Sequence, residues 1–253
     1  MADPHEVLRV GAAAGELLLR CGADVARVED TVARIARAYG ISDVEIYATP
    51  TGLFISLGGD THVTVVKRVA RRIVALDRVS AVNGLSRQIA SRHLEPGEAL
   101  ARIREIEEQP GPVPTWTEPL FRAVSAAACT MLVGGLPHEF GAALLANIVV
   151  QGVGRLNRTC RLPDALGDYL AGAVAVGCAF LLHRWLGARM APVVAGGIMV
   201  LLPGTAFTAA VRDAMAGDLV SSGARALEAA MQAAALAGGV ATALYMAGGV
   251  QLL

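Results

Sequence analysis

The chain changes character near Thr117, and that shift constrains its fold more than any other feature. Up to Glu118 it carries 14 Lys/Arg and 16 Asp/Glu, whereas Pro119 to Leu253 carries only 8 Arg, 4 Asp and 2 Glu in 135 residues. The few late charges cluster between long apolar runs. A water-soluble domain of that length would carry far more surface charge. Apolar runs able to cross roughly 30 Å of hydrocarbon, separated by short polar joints, read as a polytopic membrane domain. The expected fold class is an α-helical polytopic membrane protein preceded by a small α+β soluble domain.

Three segments follow: a soluble cytoplasmic domain over 1–109, a Pro-rich linker over 110–118, and a membrane domain over 119–253 with about five transmembrane helices. Mean hydropathy of +0.51 understates the apolar half because the front domain dilutes it. The net charge is zero and no basic block points to nucleic acid. Met1 to Arg20 contains Asp3, Glu6, Arg9, Glu16 and Arg20, so no apolar signal-peptide core is present and the front domain is expected to stay in the cytoplasm. The cysteines Cys21, Cys129, Cys160 and Cys178 lack metal-ligand spacing and read as small hydrophobes or isolated thiols.

The predicted spans are Leu120–Leu136, Phe140–Gly154, Leu166–His183, Met190–Ala210 and Ala226–Val250. With the N-terminus inside, the inner joints hold Arg122, Arg155, Arg158, Arg161, Arg212 and Arg225. The outer joints hold only Arg184 and Arg189. That asymmetry predicts a cytoplasmic N-terminus and an outside C-terminus.

In the front domain, Val7–Arg20 and Asp24–Tyr39 read as a helical hairpin joined at Arg20-Cys21-Gly22, with Gly40 as the stop. Val44–Ala48, Leu53–Leu57 and His62–Val69 read as strands, the last two joined by a Gly58-Gly59-Asp60 turn. Val79–Ser91 and Pro96–Glu107 read as further helices. Gly11 and Gly15, four residues apart on the first helix, predict close packing of two soluble helices. No Walker A loop, G-x-G-x-x-G loop, nucleophile elbow or H-E-x-x-H spacing occurs, so no cofactor or metal is expected and no ATP-driven pump is implied.

The stretch from Ala195 to Ala229 carries the transport signal. Pro203-Gly204 lies inside the fourth span, where a missing amide donor and a flexible glycine break the helix. Broken membrane helices are tolerated where protein or a watery cavity satisfies the freed groups. The following half-helix would aim its positive end at a carboxylate, with Thr205 and Thr208 adding hydroxyls on one face. Arg212, Asp213, Asp218, Arg225 and Glu228 follow, with Gly217 and Gly223 between them. They read either as an interfacial loop or as an element lining a path. Arg212 would pair with a substrate carboxylate, or with Asp213 or Glu228. In the second span, Asn147 and Gln151 read as interhelical hydrogen-bonding partners.

Several blocks together carry a family resemblance: GELLLRCGADVARVEDTVARIARAYG, YATPTGLFISL, AVNGLSRQI and GGIMVLLPGTAFTAAVRDAMAGDLVSSGARALEAA. They resemble the threonine/serine exporter (ThrE) family, in order and across nearly the whole chain. The resemblance implies recurring front-domain positions at Glu16, Arg27, Glu29, Pro50, Thr51 and Asn83. In the membrane part it implies Pro203, Gly204, Arg212, Asp213, Gly217, Asp218, Gly223, Arg225 and Glu228. It also implies the larger subunit of a split, two-subunit exporter, a form implicated in succinate export, with a small all-membrane partner subunit. Five spans without an internal repeat independently predict a second half, from another chain or by self-association.

The leading expectation is secondary export of a small carboxylate-bearing metabolite, threonine/serine or a succinate-type dicarboxylate, rather than enzyme activity. The expected substrate path is Pro203, Gly204, Thr205, Thr208, Arg212 and Arg225, with Asp213, Asp218 and Glu228 for coupling or ion pairing. One alternative makes the front domain a membrane-anchored enzyme, such as a hydrolase, with Glu16 and Glu29 as paired carboxylates. The other makes it a regulatory or assembly platform.

Overall fold

The computed structural model describes residues 3–58, 63–70, 73–92, 94–111, 114, 116–160 and 162–248. The chain divides into two compact units, one of Met1–Pro112 with Thr208–Arg225 and one of Val113–Phe207 with Ala226–Leu253.

The first unit begins with α1 (Pro4–Arg20) and α2 (Val25–Ala38). α1 starts three residues before the apolar pattern does because Asp3 accepts a hydrogen bond from the His5 amide and Pro4 supplies the first helical position. It ends at Gly22, which takes φ +84° while the Ala23 amide donates back to Leu18 O at 3.0 Å. α2 ends the same way at Gly40, φ +85°.

Strands β1 (Val44–Thr49), β2 (Gly52–Leu57) and β3 (Val63–Arg68) form an antiparallel sheet in the order β1-β2-β3. Pro50-Thr51 joins β1 to β2, with Thr49 opposite Gly52. β2 pairs with β3 so that Leu57 faces Val63; most of the expected turn between them lies outside the described residues. Alternation on β2 buries Leu53, Ile55 and Leu57 and exposes Phe54. α3 (Leu76–Arg92) and α4 (Pro96–Glu108) complete the domain. Its core combines Leu18, Val28, Val32, Ile35, Leu53, Ile55, Val82, Ile89 and Ile103. A Cβ at Gly15 would overlap Leu53 Cδ2 and sit 3.0 Å from Val32 Cγ2, so Gly15 lets α1 approach α2 and the sheet closely.

The second unit contains α5 (Glu118–Leu132), α6 (Pro137–Cys160), α7 (Asp164–Leu186) and α8 (Met190–Met199). α9 (Gly204–Met215) and α10 (Leu219–Met246) each have residues in both units. Among the described residues, α7 and α10 are each long and apolar enough to cross a membrane. A third crossing follows if α8 and α9, bent by 52° at a short break, count as one.

α5 has only 15 residues, about 22 Å of helix, which falls short of the hydrocarbon thickness. Pro137 opens α6, three residues before the expected second span begins at Phe140. α10 starts seven residues before the expected fifth span, because Asp218 Oδ1 accepts the Ser221 amide at 3.0 Å and caps the helix there.

Small residues set the helix contacts of this unit. A Cβ at Gly196 would lie 2.6 Å from the Thr130 nitrogen, and one at Gly239 would overlap the Tyr169 carbonyl. α5 therefore approaches α8, and α7 approaches α10, at backbone distance. Asn147 Nδ2 donates to Gly197 O at 3.3 Å while Gln151 Nε2 donates to Asn147 Oδ1 at 3.1 Å, tying α6 to α8. Glu139 is 0% exposed and accepts from Arg189 Nε and Nη2, both at 2.9 Å, and from the Leu136 and Arg189 amides. The α5–α6 joint is thereby stapled to the α7–α8 joint.

Candidate functional site

The polar cluster of the first unit centres on Asp24, the residue that precedes α2. Asp24 holds the N-cap position without making a side-chain cap. Its carboxylate instead accepts from Arg212 Nη1 at 2.9 Å and lies 3.8 Å from Arg27 Nη2. A carboxylate at a helix N-terminus is favoured by the helix dipole even without a capping bond. Beside it, Asp213 is 2% and Arg225 6% exposed, and their Oδ2 and Nε stand 2.9 Å apart. These two atoms are not aligned for a hydrogen bond, so the contact is mainly Coulombic. Arg225 Nη2 also donates to Ala23 O at 3.3 Å. Arg212 thus pairs with Asp24, and Asp213 with Arg225.

A cavity of about 470 Å³ opens here, lined by Asp24, Ala26, Arg27, Asp30, Arg34, Asn83, Arg87, Arg212, Asp213 and Ala216. A second, of about 430 Å³, shares Asp24, Arg27, Asn83, Arg87 and Arg212 with it and adds Ser80. Arg34 pairs with Asp30 one helical turn away. Asn83 Oδ1 accepts from the buried Thr31 hydroxyl at 2.9 Å. Arg27, Asn83 and the adjacent pair Arg212 and Asp213, from three distant parts of the sequence, therefore line one cavity. Asp24, Asp30, Arg34 and Arg87 were not singled out by the sequence. Asp24 and Arg212 are 188 positions apart, and no local pattern connects them.

The other expected positions have different surroundings. Glu16 pairs with Lys67 at 3.2 Å, and Glu29 Oε1 accepts from the Ala48 amide at 2.9 Å, so each carboxylate has its own partner. Burial pushes the Glu29 carboxyl up from its ordinary value, with the Asp218 charge adding to the rise and the Ala48 hydrogen bond opposing it. Pro50 and Thr51 form the β1–β2 turn. Gly217, φ +86°, turns the chain from α9 to α10, while Gly223 lies within α10. Pro203, Gly204 and Thr205 mark the start of α9 and belong to the second unit, as does Glu228; Thr208 belongs to the first. Among the described residues, no group of three or more His, Cys, Asp or Glu side chains could hold a metal ion.

Residues 9–247 match the ThrE family model, described as "Putative threonine/serine exporter". The chain belongs to this threonine/serine exporter family and is a membrane protein. It is 26% identical over 243 residues to a protein of Mycobacterium tuberculosis named "Probable threonine/serine exporter". That similarity covers 95% of this chain and 46% of the relative, so the chain spans about half the relative's length. No solved structure matches it.

Proposed function

We propose that this chain forms part of a secondary exporter that moves threonine, serine or a related small carboxylate-bearing metabolite out of a bacterial cytoplasm. The observation that carries the reading is the family match across residues 9–247. The path runs by Pro203, Gly204, Thr205 and Thr208, and the interruption between α8 and α9 supports it, since broken helices in membranes accompany substrate cavities. Arg212 and Arg225 supply counter-charge, and Asp213, Asp218 and Glu228 are the candidates for coupling.

In this reading the membrane part crosses about five times, with α5, whose short length local thinning of the bilayer accommodates, α6, α7, the α8–α9 pair and α10 as the crossings. The N-terminal domain is cytoplasmic and the C-terminus lies outside the inner membrane. The Glu139–Arg189 staple supports the alternation, because it requires the α5–α6 and α7–α8 joints to share one side. A second membrane half completes the transporter, in the same polypeptide or on another chain.

The test is efflux from cells loaded with labelled threonine, serine or succinate and expressing the full chain with that second half. Threonine or serine efflux above the vector control is expected. Absence of efflux for every label, with the protein verified in the membrane, would refute the export reading.

A further inference from the structure

We infer that the arginine-lined cavity of the first unit is a receptor for the carboxylate of a small metabolite, which competes there with Asp24 for Arg212. The inference takes the ligand's class from the export reading and adds a site and a competition to it.

The charge inventory points to an anion. Four guanidinium groups line the cavity, from Arg27, Arg34, Arg87 and Arg212, against the carboxylates of Asp24, Asp30 and Asp213. Asp213 faces the buried Arg225 and Asp30 is taken by Arg34. Asp24 alone remains, held by Arg212 at 2.9 Å and only loosely by Arg27 at 3.8 Å. Arg87 pairs with none of the described residues. The guanidiniums of Arg27, Arg87 and Arg212 therefore outnumber the one carboxylate left to them, and an entering carboxylate would reduce that excess of positive charge.

The donor chemistry is equally specific. Guanidinium forks match carboxylate oxygens in pairs, which a point-charge ammonium does not. Asn83 has its Oδ1 occupied by Thr31, leaving its amide N–H groups as donors, and Ser80 adds a hydroxyl in the adjoining chamber. A volume of about 470 Å³ suits a metabolite of a few carbons with its water.

Asp24 occupies the place of a built-in ligand. It contacts Arg212 with one oxygen, Oδ2; the guanidinium is exposed while Asp24 itself is largely buried. A single-oxygen contact to an exposed guanidinium is weaker than a two-oxygen one, so a bidentate ligand can displace it. Displacement frees the helical hairpin at Asp24 from Arg212 of α9, while Arg225 still donates to Ala23 O. Occupancy of the cavity would in this way alter a contact between the front domain and the segment leading into α10.

The experiment measures equilibrium binding of labelled L-threonine and of labelled succinate to the purified full chain in lipid nanodiscs. Threoninol, which lacks the carboxylate, is the competitor control. Arg87→Gln removes an unpaired charge and should weaken binding about tenfold, the loss of one charge-assisted contact. Asp24→Asn removes the internal competitor and should tighten binding severalfold, a direction that misfolding cannot mimic. Arg102→Gln, away from the cavity, should change nothing.

Binding of either label with this opposed pattern, and without competition by threoninol, establishes the receptor and tells an amino acid from a dicarboxylate. Absence of binding, or binding indifferent to both Arg87→Gln and Asp24→Asn, overturns it. Cells that export threonine while binding ignores both substitutions would refute the receptor and leave the export reading standing. The opposed pattern with either label, alongside absent efflux of threonine, serine and succinate, would do the reverse.

Discussion

Glu29 shows how one carboxyl records its surroundings. Its folded-state value is raised by burial and by the Asp218 charge, and the Ala48 amide only partly offsets this. An acid that holds its proton more tightly when folded stabilises the fold as pH falls. That gain is complete below the ordinary carboxyl range and is lost as pH rises through the raised value. Glu29→Gln keeps an oxygen for the Ala48 amide but cannot titrate. The melting temperature of the full chain should therefore gain on that of Glu29→Gln as pH is lowered from 7.5 towards 4.5. A gap that moves the other way would contradict the assignment.

At the scale of elements, glycine positions decide how closely helices approach. Gly15 on α1 faces Leu53 and Val32, and the added methyl of Gly15→Ala should destabilise the front domain by about 1–3 kcal/mol, the usual cost of overpacking. Denaturant unfolding of the full chain, followed by hydrogen exchange at Val28 and Val32, would measure it; unchanged exchange would contradict the packing.

Elements of this kind were largely legible in the sequence. The three- and four-residue repeat of Val25, Val28, Val32 and Ile35 marks α2, and Gly40 its stop, because periodicity and turn chemistry are local. The break at Pro203-Gly204 was legible for the same reason. Helix starts were less so: Asp3 and Asp218 extend α1 and α10 backwards through caps that apolar patterning does not register. The partner of Arg212 was not legible at all. Asp213 and Glu228 are nearer in sequence, yet the turn at Gly217 sets Asp213 against Arg225 and leaves Arg212 to Asp24.

For the whole molecule, the decisive property is how many times the chain crosses the bilayer and in which direction. Cys160, exposed at the end of α6, lies at an inner joint in the proposed topology. A membrane-impermeant maleimide should label it only after cells are permeabilised, with Cys160→Ser as the control. Labelling in intact cells would invert the orientation. The Glu139–Arg189 staple extends the same logic, since cysteines placed at His138 and Gly187 should react from one common side.

The central claim is export, and exchange in a purified system tests it most directly. Proteoliposomes holding the full chain with its second membrane half would be loaded with unlabelled L-threonine and offered a trace of labelled L-threonine outside. The account predicts transient accumulation of label above that in protein-free liposomes, and its loss with Arg225→Gln, which leaves Asp213 without its buried partner. Label that never exceeds the protein-free level, with correctly inserted protein present, would contradict it.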